Sequence, residues 1–314
     1  MAIIHGLGLQ SAPAAGFPDP NSLHRGLARW NRSRLSPSTP RNDWRLELNR
    51  DMRMQQKEGE FIEAFRARVQ DEVAQVPTDP DGFIAWFESL KEDGPGQWDP
   101  LFDWLPTEAD REQISWFLTQ EAAGEAGFDD LVAMTQVKLP ARPKLELARN
   151  YWDEMGRGNM GGMHGPMLDM TVQGLELAPT IEGTLWQSLA LANTMTAFAA
   201  TRRYAYHSVG ALGVVELTAP TRVASVAAGL KRLGVAPKLR KYFDLHAVLD
   251  VEHSKAWNAE ALLPLAQDHP EVLPAIAEGA IMRLRCGEQC FEAYRAFLWA
   301  GARTSQPVLL KESA

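Results

Sequence analysis

Apolar residues recur at helical spacing along most of this 314-residue chain, and runs that alternate between apolar and polar residues are scarce. Spacings of three and four residues place apolar side chains on one face of an α-helix, whereas a β-strand requires a period of two. From Thr107 to about residue 300, helical patterns follow one another with short interruptions. The sequence therefore predicts an all-α fold.

The N-terminal third of the chain is less regular. Prolines interrupt residues 1–55 and no apolar periodicity survives there, so we expect irregular structure. Two helical patterns follow, FIEAFRARVQDEVAQV from near Gly59 and DGFIAWFESLKED. We therefore divide the chain into an N-terminal extension, residues 1–105, and a helical domain, residues 106–314. The extension is a candidate for dimerisation or for covering a pocket.

Two helix ends can be predicted from local signals. Thr107 is the expected N-cap of the first helix of the domain, and Asp110 offers an acidic version of the capping box. The apolar segment of residues 183–219 is expected to form one long helix that stops at Pro220, because proline disrupts a helix interior.

Composition limits the class of protein. A net charge of −8 and a pI near 5.5 argue against nucleic acid as a partner. We see no apolar run long enough to span a membrane and no signal peptide, so we expect a cytoplasmic protein. Cys286 and Cys290, the only cysteines, are too few for a disulfide framework, and we expect two buried thiols.

The segment YFDLHAVLDVEH carries His246, Asp250 and His253 at offsets of four and seven residues. Each residue of an α-helix turns by about 100°, so these three side chains project from one stripe. The stripe either holds a metal ion or forms a polar seam with an ion pair.

Other predicted helices supply the partners that a metal site on that stripe would need. Glu216 is the conspicuous charge in a long apolar pattern, and a buried carboxylate without a cation is unfavourable. Glu154 precedes a glycine-rich stretch that allows the chain to fold back and bring His164 towards it. On the preceding helix, Glu121 shares a stripe with apolar residues, and Glu125, one turn on, is the alternative.

Each of these residues also has an ordinary structural interpretation. Glu216 could reach solvent near a helix end, His164 could lie in a loop, and Glu121 could be a solvated surface acid. As a group, however, four carboxylates balance the charge of two divalent irons, and ligation by carboxylate and imidazole without thiolate suits iron or manganese. The candidate metal-binding and catalytic residues are Glu121, Glu154, His164, Glu216, His246, Asp250 and His253.

These motifs resemble those of the haem-oxygenase-like diiron oxidases and oxygenases, the iron-containing redox enzyme family. The resemblance covers about residues 105–300 and is carried by the phrases ELARNYWDEMGRG, RRYAYHSVGALGVVELTAP and YFDLHAVLDVEHSKAW. It implies a haem-oxygenase-like seven-helix bundle that holds a non-haem diiron centre. Glu154 and His164 match the second core helix of the family, Glu216 the middle helix, and His246, Asp250 and His253 the last ligand helix. Glu121 matches the first-helix glutamate less securely because of Glu125.

The resemblance also implies a reaction class. Two iron ions, cycling between Fe2+ and Fe3+, would use dioxygen to oxidise a small amine, amino acid or fatty-acid-like substrate through a peroxo-diferric species. Known outcomes in the family are N-oxygenation, oxidative C–C cleavage with decarboxylation, and desaturation. An external electron donor and a homodimer are further expectations. The alternative is a non-catalytic metal- or partner-binding protein of the same fold.

Three relatives by fold are less compatible with the sequence. A haem oxygenase needs a proximal histidine on its first core helix, but no histidine lies between His24 and His164. A thiaminase-type protein needs a cysteine nucleophile in its pocket, and the cysteines here belong to the last helix. A ferritin-like protein needs two Glu-x-x-His motifs, of which this chain has one similar element, Asp250-x-x-His253.

Three polar residues before Glu216 are weaker candidates. Arg202 and Arg203 would favour a carboxylate substrate if they lay in the pocket, although a solvated basic pair is the favoured interpretation. His207 is half a helical turn away from Glu216, so we interpret it as a packing or surface histidine.

Overall fold

The computed structural model describes residues 19–304, and this part of the chain is built from helices without a β-strand. The all-α fold predicted from the sequence is confirmed. None of the described helices combines the length and apolarity that crossing a bilayer requires. The α-helices are α1 (Pro20–Leu35), α2 (Trp44–Val73), α3 (Pro80–Asp93), α4 (Leu101–Thr107), α5 (Arg111–Gly124), α6 (Phe128–Thr135), α7 (Ala141–Glu154), α8 (His164–Gly174), α9 (Trp186–Ala200), α10 (Ala205–Arg232), α11 (Pro237–Ala256), α12 (Leu263–Asp268) and α13 (Leu273–Thr304).

The N-terminal extension contains more helix than its prolines suggested. α1 begins at Pro20, where the missing N–H of proline is not needed, and the carboxylate of Asp19 accepts from the backbone N–H of Ser22. α2 begins at Trp44 rather than near Gly59. The prediction of irregular structure is therefore wrong for residues 20–35 and 44–55, and its part before residue 19 lies outside the described residues.

The helices of the extension share a core with the predicted helical domain. Arg66 of α2 donates to Glu278 of α13 over 2.6 Å, which ties the extension to the last helix. One buried cluster combines side chains from both parts, namely Ile62, Phe65, Phe83, Phe87, Phe198, Leu212, Trp257 and Ile276. The division of the chain at residue 105 stays a prediction.

Two predicted helix ends are wrong. The N-cap of α5 is Asp110, which forms a reciprocal capping box with Gln113, whereas Thr107 ends α4 and donates its hydroxyl to the carbonyl of Asp103. α10 continues through Pro220 because both of its halves are buried, Leu212 in one core cluster and Leu230 in another.

The apolar segment of residues 183–219 is not one helix. α9 ends at Ala200, and Thr201 is extended with φ −103° and ψ 109°. The break directs the guanidinium of Arg202 to the carbonyls of Met134 and Val137, beside the end of α6. The last carbonyls of a helix have no intrahelical partner, so this contact satisfies some of them.

α10 and α13 approach each other closely and form one wall of the protein interior. A Cβ added to Gly210 would lie 1.9 Å from the carbonyl oxygen of Ile276, and one added to Gly279 would lie 2.0 Å from that of His207. Neither position tolerates a side chain without a shift of the helices. This contact holds α10, which carries Glu216, against α13.

Candidate metal centre

A tight glycine-rich loop brings Glu154 and His164 together. Glu154 is the last residue of α7 and His164 the first residue of α8. Gly156 between them has φ +61°, and a Cβ there would meet the carbonyl carbon of Gly162 at 2.3 Å. Only glycine fits this close, left-handed turn. The loop thus folds back and places Nδ1 of His164 2.7 Å from Oε2 of Glu154.

Two groups of three side chains could each hold a metal ion, and they share one residue. One group contains Glu154, His164 and His246, and the other contains Glu154, Glu216 and His253. Within each group the potential ligand atoms all lie within 4.8 Å of one another, and all five residues are buried. Glu154 belongs to both groups, so its carboxylate is common to the two candidate sites.

The imidazole of His253 is oriented by a carboxylate outside the groups. Its Nε2 lies 3.2 Å from Oδ2 of Asp153 and donates to it, and its Nδ1 lies 3.5 Å from Oε2 of Glu216. Burial alone would lower the pKa of His253, but Glu216 and the hydrogen bond to Asp153 raise it to about 9, so a metal ion at Nδ1 would displace a proton. A carboxylate behind a ligating histidine fixes the ring and raises its basicity.

Similar contacts orient His246 and Glu216. Nδ1 of His246 is 2.7 Å from the carbonyl oxygen of Tyr242, which can only accept, so Nε2 is the free ligand atom. The rings of His246 and His164 are 4.5 Å apart at their centroids and meet edge to face. Nδ2 of Asn150 donates to Oε1 of Glu216 over 2.6 Å.

Asp250 lies on the same buried stripe of α11 and has a free oxygen. No described residue makes a hydrogen bond to Oδ1 of Asp250, Nδ1 of His164 or Nδ1 of His253. The short contact between His164 and Glu154 lacks the alignment of a hydrogen bond. Because buried polar atoms are otherwise nearly always paired, three unpaired atoms in one cluster fit a cation that would bind them.

The electrostatics of the cluster also fit a cation. Burial and the charge of Glu216 raise the pKa of Glu154 to about 9, and burial with Glu216 and Glu154 raises that of Asp250 to about 10. Burial, then a neighbouring imidazole, lowers the pKa of His164 and that of His246 to about 4. The carboxyl groups of Glu154 and Asp250 therefore hold protons at pH 7, and the imidazoles of His164 and His246 are neutral. Divalent cations would displace those protons.

The two glutamates considered for α5 lie outside both groups. Oε1 of Glu121 accepts a 2.9 Å hydrogen bond from the hydroxyl of Tyr294 on α13. Glu125, just past the end of α5, accepts from the backbone N–H groups of Gly127 and Phe128 at 2.9 and 3.1 Å. Burial raises the pKa of both carboxyls. The structure thus brings six of the seven predicted residues close together, and Glu121 stands apart from them.

A largely apolar cavity of about 180 Å³ adjoins the cluster. Glu154, Glu216, His246 and Asp250 form part of its wall, and Glu121 also faces into it. Glu121 is exposed to the space of this cavity. A substrate in this cavity would lie beside the predicted metal ligands.

Sequence reasoning missed two arginines in the cavity wall, Arg222 and Arg283. The available signal was the stripe of α10 that begins at Glu216 and continues through Ala219, three residues before Arg222. Arg202 and Arg203, considered from the sequence, lie elsewhere: Arg202 caps α6, and Arg203 pairs with Glu63 at 3.0 Å.

Cys290 also lines the cavity, contrary to the expectation from its place in the last helix. Burial raises the pKa of its thiol, as it raises that of Cys286 to about 11. A thiol held in its protonated form is a poor nucleophile, so the cavity does not support thiaminase-type chemistry.

Comparison with known proteins agrees with this site. The family model for iron-containing redox enzymes matches residues 115–288, more than half of the chain. The chain therefore belongs to the iron-containing redox enzyme family, whose haem-oxygenase-like fold agrees with the all-α architecture. No curated protein matched the sequence. Family membership and the buried carboxylate and imidazole groups together support an oxidoreductase that uses iron.

Proposed function

We propose that the protein is a non-haem diiron oxidoreductase that uses dioxygen to oxidise a small substrate bound in the internal cavity. The observation that carries this proposal is the pair of buried ligand groups with Glu154 in common. Glu154, His164 and His246 would hold one iron, and Glu154, Glu216 and His253 the other. Bound iron would supply redox chemistry and a Lewis acid at the cavity wall.

The remaining polar residues of the centre hold the ligands in place. Asp153 fixes the ring of His253, and Asn150 fixes the carboxylate of Glu216. Asp250, with an unpaired oxygen on the same stripe as His246 and His253, is proposed as a further ligand. Glu121 as a first-helix ligand stays a prediction, because one of its oxygens accepts from the hydroxyl of Tyr294.

The proposed reaction requires electrons from outside the protein. Reduction of dioxygen to water consumes four electrons, whereas a two-electron oxidation of the substrate supplies only two. We therefore include an external electron donor in the proposal for any outcome in which the substrate loses two electrons. A homodimer is the proposed assembly.

Anaerobic titration with ferrous iron tests the site. We expect about two equivalents of iron to bind to the parent protein, and His246→Ala to remove one of them. His269→Ala is the matched control, because the side chain of His269 is 42% exposed and lies outside the cluster. A single equivalent in the parent protein, or a His246→Ala variant that still binds two, would contradict the diiron centre.

Admission of oxygen to the iron-loaded protein then separates an enzyme from a metal-binding protein of the same fold. The enzyme is expected to consume oxygen and to show a transient visible absorption band, both absent in the His246→Ala variant. Stable ferrous protein that consumes no oxygen, alone or with candidate substrates and a reductant, would favour the non-catalytic alternative.

A further inference from the structure

Two hydrogen bonds connect the ligand cluster to the protein surface behind His253. Nε2 of His253 donates to Oδ2 of Asp153 over 3.2 Å, and Oδ1 of Asp153 accepts from Nε of Arg157 over 2.6 Å. The side chain of Arg157 is 71% exposed, whereas that of Asp153 is buried. On this side, the imidazole of a proposed iron ligand is therefore separated from solvent by the side chains of Asp153 and Arg157.

Arg157 has a backbone conformation that its side chain makes unfavourable. Its φ of +54° and ψ of 39° are left-handed, and it lies between Gly156 and Gly158, whose φ angles are also positive. Residues other than glycine adopt this conformation only where the surrounding structure fixes it, and such residues cluster at functional sites. The loop thus turns the guanidinium of Arg157 back onto Asp153, four residues earlier.

Exposed apolar side chains lie beside this point on the outer side of α7. The side chain of Trp152 is 54% exposed and covers Gly158, where an added Cβ would lie 2.9 Å from Cη2 of Trp152. Leu145 is also exposed, and it lies two helical turns before Trp152 on the same side of the helix. Tryptophan and arginine are the residues most enriched among those that dominate protein interfaces. Their combination here indicates a docking surface.

The exposed charges of this region are basic, although the chain has a net charge of −8. In residues 141–163 the acidic side chains are buried, and the exposed charged residues are Arg142, Lys144, Arg149 and Arg157. The carboxylates that pair with Arg149 and Arg157 lie beneath them, and the one that pairs with Arg142 is half-exposed. A partner would therefore meet guanidinium and ammonium groups, which favour an acidic surface.

We propose that the side of α7 formed by Leu145, Arg149, Trp152 and Arg157, the α7 face, docks a small acidic protein with a one-electron redox centre. The donor would deliver electrons to the candidate metal centre through Asp153 and His253. This assignment rests on the proposed function, which requires two electrons from outside the protein. Each encounter oxidises the donor by one electron, and two encounters supply that pair. Small interfaces with complementary charge are typical of such short-lived electron-transfer complexes.

Calorimetric titration of the metal-free protein with an oxidised plant-type ferredoxin, an acidic protein with a two-iron, two-sulfur cluster, tests the surface. A c-type cytochrome with a basic surface is the control of opposite charge. We expect ferredoxin to bind at about 0.02 M NaCl and at least about tenfold more weakly at about 0.3 M, and the cytochrome not to bind. No ferredoxin complex, a complex that salt does not weaken, or equal binding of the cytochrome would overturn the proposal. This comparison needs no variant.

Variants locate the complex. Lys144→Glu, at the edge of the α7 face, and Trp152→Ala, within it, should each weaken ferredoxin binding by about tenfold. Lys57→Glu and Trp44→Ala are the matched controls, because both residues are exposed on α2, which packs against α1, α9 and α13. Parent-like binding by both α7 variants, or equal weakening by the α2 variants, would contradict the assignment.

Stopped-flow kinetics test electron delivery. Reduced ferredoxin is mixed with iron-loaded, oxidised protein, and its oxidation is followed by absorbance. Reduced methyl viologen is the comparison, because a molecule of this size needs no docking surface. The ratio of the ferredoxin rate to the viologen rate should fall about tenfold in Trp152→Ala and stay unchanged in Trp44→Ala. An unchanged ratio in Trp152→Ala would contradict electron entry at the α7 face.

The outcomes separate this surface from the proposed function and from another occupant. Two bound irons without a ferredoxin complex would overturn the α7 face and leave the diiron function standing. A ferredoxin complex on the α7 face, without two bound irons, would refute the diiron function alone. Sedimentation equilibrium tests whether a second copy of this chain covers the face, and a homodimer that Trp152→Ala dissociates would overturn the donor site.

Discussion

Replacement of Asp153 by asparagine should weaken one of the two proposed iron sites and spare the other. Asp153 accepts from Nε2 of His253 over 3.2 Å and contacts no residue of the Glu154–His164–His246 group in a hydrogen bond. Asparagine has the same shape but no charge, so His253 would keep its position and lose basicity. The expected change is therefore confined to the group that contains His253.

The size of the effect follows from comparable carboxylate–histidine–metal arrangements. Loss of such a partner weakens metal binding by about 10- to 100-fold, which corresponds to about 1.4 to 2.7 kcal/mol. Asp153 also pairs with Arg157 over 2.6 Å, but the side chain of Arg157 is 71% exposed. An exposed ion pair contributes little, so the loss of that contact should not matter.

Anaerobic calorimetry with ferrous iron should resolve the two sites. Asp153→Asn is expected to shift only one of the two binding phases to weaker affinity, while far-UV circular dichroism stays that of the parent protein. Arg157→Gln and Asp244→Asn are controls; Asp244 is on α11 and pairs with Arg240 on the surface. Equal weakening of both sites, no weakening, or the same effect from Arg157→Gln would refute the role assigned to Asp153.

Three further predictions concern stability and reactivity. Gly279→Ala should lower the free energy of unfolding in urea by about 1 to 3 kcal/mol, because the added Cβ would overlap the carbonyl of His207. Gly59→Ala should raise that free energy by about 0.5 to 1 kcal/mol, because a Cβ at Gly59 meets no atom within 4 Å. Equal effects of the two substitutions would contradict this. Glu278→Gln should destabilise the protein at pH 7 by up to about 3 kcal/mol. Burial opposes the charge of Glu278, but a ring N–H of His207 and a nearby guanidinium lower the pKa of its carboxyl to about 2. The stabilisation is therefore present above pH 4.5, and the difference between parent and variant in the free energy of unfolding in urea should shrink as the pH falls from 4.5 towards 2. Cys286, whose pKa burial raises to about 11, should react with iodoacetamide at pH 8 about 100-fold more slowly in the native protein than in urea, and equal rates would contradict its burial.

Much of the ligand cluster follows from helical spacing. The offsets of four and seven residues place His246, Asp250 and His253 on one stripe of α11, and the structure buries all three. The carboxylate of Glu216 was informative because it lies within an apolar helix, where a buried charge requires a compensating partner. These signals are local, so a single sequence contains them.

The remaining features depend on contacts between distant parts of the chain. Pro220 lies inside α10 because two core clusters bury the helix on either side of it, and local propensity does not register that packing. Asp153 precedes Glu154 in sequence, but its contact with His253 depends on how α7 meets α11. The approach of Arg222 and Arg283 to one cavity likewise requires the packing of α10 against α13.

Anomalous diffraction at the iron absorption edge, on crystals of anaerobically iron-loaded protein, tests the central claim most directly. Two peaks about 3.5 to 4 Å apart are expected, with carboxylate oxygens of Glu154 beside both. A single peak, or peaks that share no contact with Glu154, would contradict a paired iron centre at this position.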